Sequence, residues 1–140
     1  MVNKEKIQNK LDFIKNNLEK LNIMRKYNKE EFFSNFEHIY ASEHLIQTTI
    51  QALTDTAGFI IASRKFRAPK NSVDIIEILY ENKLLDLDQR NLFQKIIRFR
   101  NIVVHLYNGV NENMVFELLQ NNLKDLEELF RVLIVVITGE

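Results

Sequence analysis

The chain has 140 residues, of which 46% are hydrophobic, so it is long enough to fold as one domain around a sizeable core. Its 19 basic and 19 acidic residues balance, which excludes a protein that coats nucleic acid through bulk positive charge and leaves only local contacts. It has no cysteine, which excludes disulfides and thiolate metal sites.

The amino terminus, MVNKEKIQNK, lacks the apolar core of a secretory signal. The most apolar run, residues 129–137, is far shorter than the roughly 20 residues that a membrane-spanning helix requires. We therefore expect a cytoplasmic protein that makes no membrane contact.

Composition predicts helices throughout the chain. Three glycines and one proline leave few turn signals for strands, and Leu, Ile, Glu, Lys, Gln and Asn dominate the rest. We expect an all-α protein with a single domain over residues 1–140, built as a bundle of about five helices.

The first predicted helix is marked by apolar residues that recur every three or four positions. These residues are Ile7, Leu11, Ile14, Leu18 and Leu21. After a polar joint near Asn28, the same rhythm continues from Phe36 to about Ser63 and predicts a second, very long helix. Glu43 occupies the one step of this rhythm that is not apolar.

A break follows in the stretch RKFRAPKNS, because Pro69 disfavours helix in the residue before it. Asn71 or Ser72 can then accept the first free amide hydrogens of a new helix. This third helix is predicted to be short and to end near Asn82.

A fourth helix is predicted to begin behind Asp86 or Asp88 and to run to Tyr107, where Gly109 supplies a stop. The last helix spans about residues 112–138. We assign it as helix although its segment VLIVVI has strand propensity.

The fourth helix contains the unusual stretch RFRNIVVHLYNG, which sets polar side chains among apolar ones. On a helical wheel, one apolar stripe faces the core. It consists of Ile96, Phe99, Ile102, Val103 and Leu106. Ile97 and Val104 point away from it, and a helix that is apolar on two sides is usually covered twice. The second cover is another helix or a second subunit, and we favour a homodimer seam along Ile97 and Val104.

The polar residues of the same helix form two rows. Arg98, Asn101 and His105 follow one another at steps of three and four, whereas Arg100 and Tyr107 share another face. These rows flank the expected seam, which places His105 at the edge of a groove between subunits.

The spacing of Arg100, His105 and Tyr107 resembles the R-x4-H-x-Y motif of the HEPN superfamily, and specifically of HepT-type toxins from HepT/MntA toxin–antitoxin pairs. Asn101, directly after the arginine, agrees with the common form of that motif. The motif by itself is moderately specific.

The flanking segments strengthen the resemblance. Residues 41–62, which include Glu43 and Asp55, resemble the second helix of the family, and RAPKNSVDIIEILYENKLL resembles its linker and third helix. The resemblance therefore covers about residues 30–130 and implies a HEPN-type helical bundle packed as a homodimer.

The resemblance implies a metal-independent endoribonuclease toxin that needs no cofactor, with the two motifs of a homodimer facing each other. The residues suit this chemistry, since cleavage of RNA by its own 2′-hydroxyl requires a base, an acid and positive charge on the phosphorane. His105 can accept and donate a proton near neutral pH, and Arg100 offers a permanently charged fork to phosphate oxygens. Asn101 would hold either the His105 ring or the phosphate.

The resemblance also implies a partner, a minimal nucleotidyltransferase antitoxin that transfers AMP to the motif tyrosine, here Tyr107. The toxin would then belong to a type VII-like system. The adenylate would compete with RNA by charge and by volume. The structural alternative is that Tyr107 is a packing aromatic at a helix end, with its hydroxyl in water.

Two further alternatives stay open from the sequence. Arg100 could pair with an acid on a neighbouring helix, and His105 could be a hydrogen-bonded interior histidine. The chain could also be a non-catalytic HEPN interaction module that binds RNA, a nucleotide or a nucleotidyltransferase, because catalytic and binding versions share the fold.

His38 and His44 lie beside glutamates but about 120° apart around a helix, unlike the one-turn spacing of helical zinc ligands. We therefore expect no metal site. Glu43, on the apolar face, is expected to pair with a basic group and to support the site, with Arg100 as a possible mate.

RNA contacts are expected first at Arg98, because it shares the face of His105. Arg64, Lys65 and Arg67 stand in the cationic stretch RKFRAPK and could hold an RNA backbone. Such a run is more often a solvated helix end, where cations also suit the helix dipole.

Overall fold

The computed structural model describes residues 4–105 and 112–139, with their side chains except for those of residues 102–105. These residues form seven α-helices and one π-helical turn, and no strand occurs among them. The elements are α1 (Lys4–Met24), α2 (Lys29–Ser34), α3 (Phe36–Ser63), α4 (Ser72–Glu81), α5 (Leu87–His105), α6 (Glu112–Glu117), the π-helical turn (Leu118–Asn122) and α7 (Leu123–Thr138). The predicted all-α fold is confirmed.

All five predicted helices are present. They correspond to α1, α3, α4, α5 and the continuous run from α6 through the π-helical turn to α7. The segment VLIVVI is helical within α7, as predicted, because the amphipathic context outweighs its strand propensity. No helix within the described ranges is both long enough and apolar enough to cross a bilayer.

Side-chain caps fix where α4 and α5 begin. The Asn71 side chain accepts a hydrogen bond from the backbone N–H of Asp74 at 2.8 Å. The Asp86 side chain accepts one from the backbone N–H of Gln89, also at 2.8 Å. Each bond satisfies a free amide of a helix start, and together they decide between the caps that the sequence left open.

Helix α2 was not predicted, because six residues are too few to show an apolar period. It begins with a capping box. The Asn28 side chain accepts from the backbone N–H of Glu31 at 2.8 Å, and the Glu31 carboxylate accepts from the backbone N–H of Asn28 at 3.1 Å. The helix then buries Phe32 completely, with its ring centroid 5.4 Å from that of Phe116 on α6.

Helix α3 is the central element, because it packs against α1, α2, α4, α5, α6 and α7. Its buried surface mixes large apolar side chains with small ones that let neighbouring helices approach closely. The small buried residues include Ser42, Thr49, Ala52, Thr56 and Ala57. The Thr54 and Thr56 hydroxyls donate to the backbone carbonyls one turn earlier, at 2.7 and 2.8 Å, so these two groups are satisfied within the helix.

The predicted dimer seam is wrong at Ile97. This side chain is only 2% exposed within a single chain, so the chain itself covers it. The reason is that α5 packs against α4, α3 and α7, which makes both of its apolar sides internal. Ile96 is buried and Phe99 packs against the core, as expected for the core stripe. The Val104 side chain lies outside the described residues.

Candidate active site

Arg100 lies on α5 where this helix packs against α3. Its Nη2 donates a hydrogen bond to Oε1 of Gln51 at 2.7 Å. The side chain is half-buried, and its Nε is buried without a hydrogen-bond partner among the described residues. Buried donors are paired in most proteins because an unpaired one loses its hydration, so the described part of the chain satisfies this guanidinium only in part.

Gln51 belongs to a chain of polar contacts that reaches a third helix. Its Nε2 donates to Oδ1 of Asp55 at 2.9 Å, one turn further along α3. Oδ2 of Asp55 accepts from Nζ of Lys10 on α1 at 3.2 Å. The contacts therefore link α5, α3 and α1 through Arg100, Gln51, Asp55 and Lys10.

Glu43 does not form the expected pair with Arg100 among the described contacts. Its Oε1 accepts a hydrogen bond from Nε2 of Gln47 at 2.9 Å, and Arg100 uses Gln51 instead, two turns along α3. Burial raises the pKa of the Glu43 carboxyl, although the Gln47 hydrogen bond and the nearby His44 act in the opposite direction. Glu43 thus lies on the same polar strip of α3 without touching the motif arginine.

The remaining motif residues continue along α5. The backbone stays helical to His105, which keeps Arg98, Asn101 and His105 on one face of the helix. Arg98 is exposed and Asn101 is half-buried. The His105 side chain and all of Tyr107 lie outside the described residues, so their predicted roles stay predictions.

The other cations predicted to bind RNA are less available for such contacts than Arg98, because two of them are engaged within the chain. Nη1 and Nη2 of Arg67 donate to Asp74 at 2.7 and 2.8 Å, and its Nε and Nη2 donate to Glu81 at 3.0 and 2.8 Å. Arg64 donates from Nη2 to the Val136 carbonyl at 3.2 Å, whereas Lys65 is exposed. The charge of Arg67 is therefore neutralised within the chain.

These contacts shift the titration of the two carboxylates. Hydrogen bonds from Arg67, and then from the Lys70 backbone N–H, lower the pKa of Asp74 to about 2. The Arg67 hydrogen bond also lowers the pKa of Glu81. The arrangement fastens the segment after α3 to α4.

The two histidines on α3 do not come together. The His38 ring stacks on Tyr27 with centroids 4.0 Å apart, and its Nδ1 lies 3.3 Å from the Glu31 carbonyl oxygen, whereas His44 is exposed. No group of three or more His, Asp or Glu side chains suited to a metal ion occurs in the described part of the chain.

Comparison with known proteins identifies the family. Residues 14–133 match the family described as "HepT-like: Ribonuclease HepT-like". Because this match covers most of the chain, the protein belongs to the HepT-like ribonuclease family. The resemblance inferred from Arg100, His105 and Tyr107 is confirmed, and family membership favours ribonuclease chemistry over a purely binding module.

Individual relatives agree with this assignment. The chain is 28% identical over 88 residues to the mRNA nuclease HepT of Shewanella oneidensis, an alignment that spans 63% of this chain and 66% of that relative. Its structure is similar to that of a tri-AMPylated Shewanella oneidensis HEPN toxin in complex with MNT antitoxin, at 25% identity and a TM-score of 0.82. That match covers 99% of this chain and 100% of the toxin. YutE, a cytosolic protein of unknown function from Bacillus subtilis, has the same fold at 18% identity and a TM-score of 0.81, with 99% and 92% of the two chains covered.

Sequence reasoning missed Gln51 and Lys10. The available signal was the spacing of four between Gln51 and Asp55 on a helix, in register with Gln47 one turn earlier and Glu43 two turns earlier. Nothing in the sequence indicated which helix would supply the cation for Asp55.

The Arg67 contacts predict a pH-dependent contribution to stability. Arg67→Met should lower the melting temperature at neutral pH, because Asp74 and Glu81 lose their partner. A carboxylate with a lowered folded-state pKa stabilises the fold above its ordinary pKa and loses this effect on acidification. The difference from wild type should therefore shrink as the pH falls from 3.8 to about 2.

Thermal unfolding followed by circular dichroism over this pH range measures the effect. Arg98→Met is the control, since it removes an exposed cation at a distance from these carboxylates in sequence. A difference in melting temperature that does not change with pH would contradict the assigned role of Arg67.

Proposed function

We propose that the protein is a metal-independent endoribonuclease toxin of a type VII-like toxin–antitoxin system that acts in the cytoplasm on RNA. A minimal nucleotidyltransferase antitoxin neutralises it by adenylylating Tyr107. The observation that carries the proposal is the half-buried Arg100 on α5, which the neutral side chain of Gln51 on α3 holds and which lies five residues before His105 on the same helix. The likeness to a curated mRNA nuclease and to a toxin bound to MNT antitoxin supports it.

The reaction is cleavage of RNA by its own 2′-hydroxyl. The 2′-oxygen loses its proton to a base and bonds to phosphorus, while the bond from phosphorus to the 5′-oxygen breaks and that oxygen gains a proton from an acid. Histidine is suited to both proton transfers near neutral pH. Arg100 stabilises the negative charge that develops on the phosphorane oxygens, and Asn101 orients either the phosphate or the His105 ring.

The proposed site is composite. Each motif contains one histidine, whereas the reaction needs a base and an acid at the same moment, so a twofold dimer that joins two motifs supplies the pair. Since Ile97 is internal, the second copy has to contact another surface. We place it on the face of α3 that carries Phe36, Tyr40 and Gln51, whose positions fall within a narrow arc of the helix.

Exposure supports this placement. Phe36 is 67% exposed and Tyr40 is 60% exposed, and their rings are in edge contact with centroids 5.9 Å apart. Paired exposed aromatics are typical of protein–protein contacts, because aromatic side chains gain the most from burial there. The pair shares its helical face with Gln51, but Tyr40 lies about 16 Å from Gln51 along the helix axis. The second copy therefore has to cover this face over that length to reach Arg100.

The assembly prediction compares two substitutions. Phe36→Ser combined with Tyr40→Ser should convert dimers into folded monomers, since it removes exposed apolar surface alone. Ile97→Glu should instead unfold the chain, because it buries an unpaired charge in the core. Ile23→Ser on α1, where Ile23 is 58% exposed, is the matched control.

Sedimentation velocity measures the assembly and circular dichroism measures the fold. Dimers that persist after the double change at Phe36 and Tyr40 would show that the second copy lies elsewhere. A wild-type chain that sediments as a monomer while it cleaves RNA would contradict the composite site.

The catalytic prediction concerns the two motif residues. Arg100→Ala and His105→Ala should each abolish RNA cleavage and toxicity to cells without loss of the fold. The first removes the positive charge that stabilises the phosphorane, and the second removes the group that transfers protons. The assay uses purified protein and RNA in the presence of EDTA, with Lys95→Ala on the exposed side of α5 as the control.

Full activity after either change would contradict the mechanism, and so would a strict requirement for added magnesium. Binding of RNA without cleavage by the wild-type protein would favour the non-catalytic interaction module.

The regulatory prediction concerns Tyr107. Its phenol oxygen bonds to the α-phosphorus of ATP on the antitoxin, losing its proton as pyrophosphate leaves. The adenylate adds an anion and bulk seven residues from Arg100, on nearly the same helical face, and thereby excludes the substrate. Co-expression with the cognate antitoxin should add the mass of adenylate to the peptide that contains HLYNG.

Tyr107→Phe should keep RNA cleavage while escaping this control, because only the acceptor oxygen is removed. Mass spectrometry of the co-expressed toxin tests the modification. Neutralised toxicity with an unmodified Tyr107 would show that the antitoxin acts by binding alone.

A further inference from the structure

Four polar side chains on three helices form a continuous set of contacts that ends on the motif arginine. They are Arg100 on α5, Gln51 and Asp55 on α3, and Lys10 on α1, with successive distances of 2.7, 2.9 and 3.2 Å. We infer that Gln51 is a positioning residue, which holds the Arg100 guanidinium in the orientation that meets the substrate phosphate. This inference rests on the proposed ribonuclease function and assigns a role to a residue outside the motif.

The contact with Asp55 fixes which way the Gln51 amide points. A carboxylate can only accept hydrogen bonds, so the amide NH2 of Gln51 has to face Asp55. Its oxygen is thereby directed toward Arg100, which can only donate. The orientation of an amide is otherwise ambiguous, and here the two neighbours leave a single consistent arrangement.

Lys10 completes the arrangement from α1. Its ammonium lies 3.2 Å from the second oxygen of Asp55 and compensates the carboxylate charge. Without it, Asp55 would be an unpaired anion near Arg100 and would compete with the substrate for the guanidinium. The pair is partly exposed, with side-chain exposures of 33% and 43%, so we assign it an orienting role rather than a large stabilising one.

Arg100 has a neutral partner, as does Arg64 at the Val136 carbonyl, whereas three other arginines of this chain have acidic partners. Arg67 binds Asp74 and Glu81, Arg90 binds Glu77, and Arg131 binds Glu128, so these guanidiniums each have a carboxylate as counter-ion. Arg100 is held by an amide, which accepts a hydrogen bond without supplying negative charge. Its positive charge therefore remains available to a phosphate, while its direction is fixed.

The experiment replaces the Gln51 side chain with two others of similar size. One tests the loss of the orienting hydrogen bonds, and the other tests the addition of a negative charge beside Arg100. Gln51→Glu supplies a carboxylate of nearly the same shape, which would neutralise Arg100, and Gln51→Met removes both hydrogen bonds without adding charge. Gln8→Glu is the matched control, because the Gln8 amide donates to Asp12 on α1 with the same spacing of four and the same distance of 2.9 Å. Steady-state cleavage of an oligoribonucleotide in EDTA gives kcat and KM from pH 5 to pH 8.

We expect Gln51→Met to lower kcat by about tenfold or more at all pH values, because the guanidinium loses its orienting hydrogen bond. Gln51→Glu should lower kcat further at every pH from 5 to 8. Among the described residues, three cations, Lys6, Lys10 and Arg100, surround the new carboxyl and outnumber the single anion, Asp55, so it stays ionised over this range and neutralises Arg100.

A residue that only stabilised the fold would change the melting temperature, and the kcat of the folded enzyme would be the same with Gln, Glu or Met at position 51. Gln51→Glu and Gln51→Met variants with kcat within about twofold of wild type would overturn the inference, and so would a loss equal to that of Gln8→Glu. A wild-type chain that does not cleave RNA would contradict the proposed function itself. Normal cleavage by the wild type and by both Gln51 variants would contradict the positioning role alone.

Discussion

The fold depends on the enclosure of α3, a helix of 28 residues that is packed by α1, α2, α4, α5, α6 and α7. Such enclosure requires apolar or small residues on most of its sides, and the buried hydroxyls of Thr54 and Thr56 bond within the helix. Those of Ser42 and Thr49 are buried without a hydrogen-bond partner among the described residues. One strip, from Glu43 to Asp55, stays polar, and α5 places Arg100 against it. The packing that stabilises the domain therefore also determines where the motif charge lies.

Much of the fold could be predicted because the recurrence of apolar residues every three or four positions is a property of each helix by itself. The long apolar rhythm ending near Ser63, and pairs of possible caps before the next two helices, indicated α3, α4 and α5 before any contact was known. Ile97 shows where this reasoning fails. A helical wheel shows that a helix has two apolar sides, but it cannot show whether another helix or another subunit covers the second side.

The residues of the candidate site were likewise predictable only where the signal is local in the sequence. Arg100 and His105 could be proposed from the sequence because their spacing is local and resembles the family motif, whereas Gln51 and Lys10 reach Arg100 only through contacts between helices. Glu43 was the obvious acidic mate by charge, yet Gln51 accepts the hydrogen bond. A preference for opposite charges therefore misleads at a position where the fold supplies a neutral acceptor instead.

That neutral acceptor connects the proposed activity with its proposed control. A guanidinium fixed by an amide keeps its full charge, and its buried Nε has no partner in the described residues, so the site attracts an anion from outside the chain. Under the proposed function, this anion is the phosphate of RNA in the active state. Adenylate on Tyr107 would instead attach an anion to the toxin itself, seven residues from Arg100, where it would compete with free substrate as an intramolecular ligand. The same uncompensated charge that favours cleavage thus makes a covalently attached phosphate an effective inhibitor.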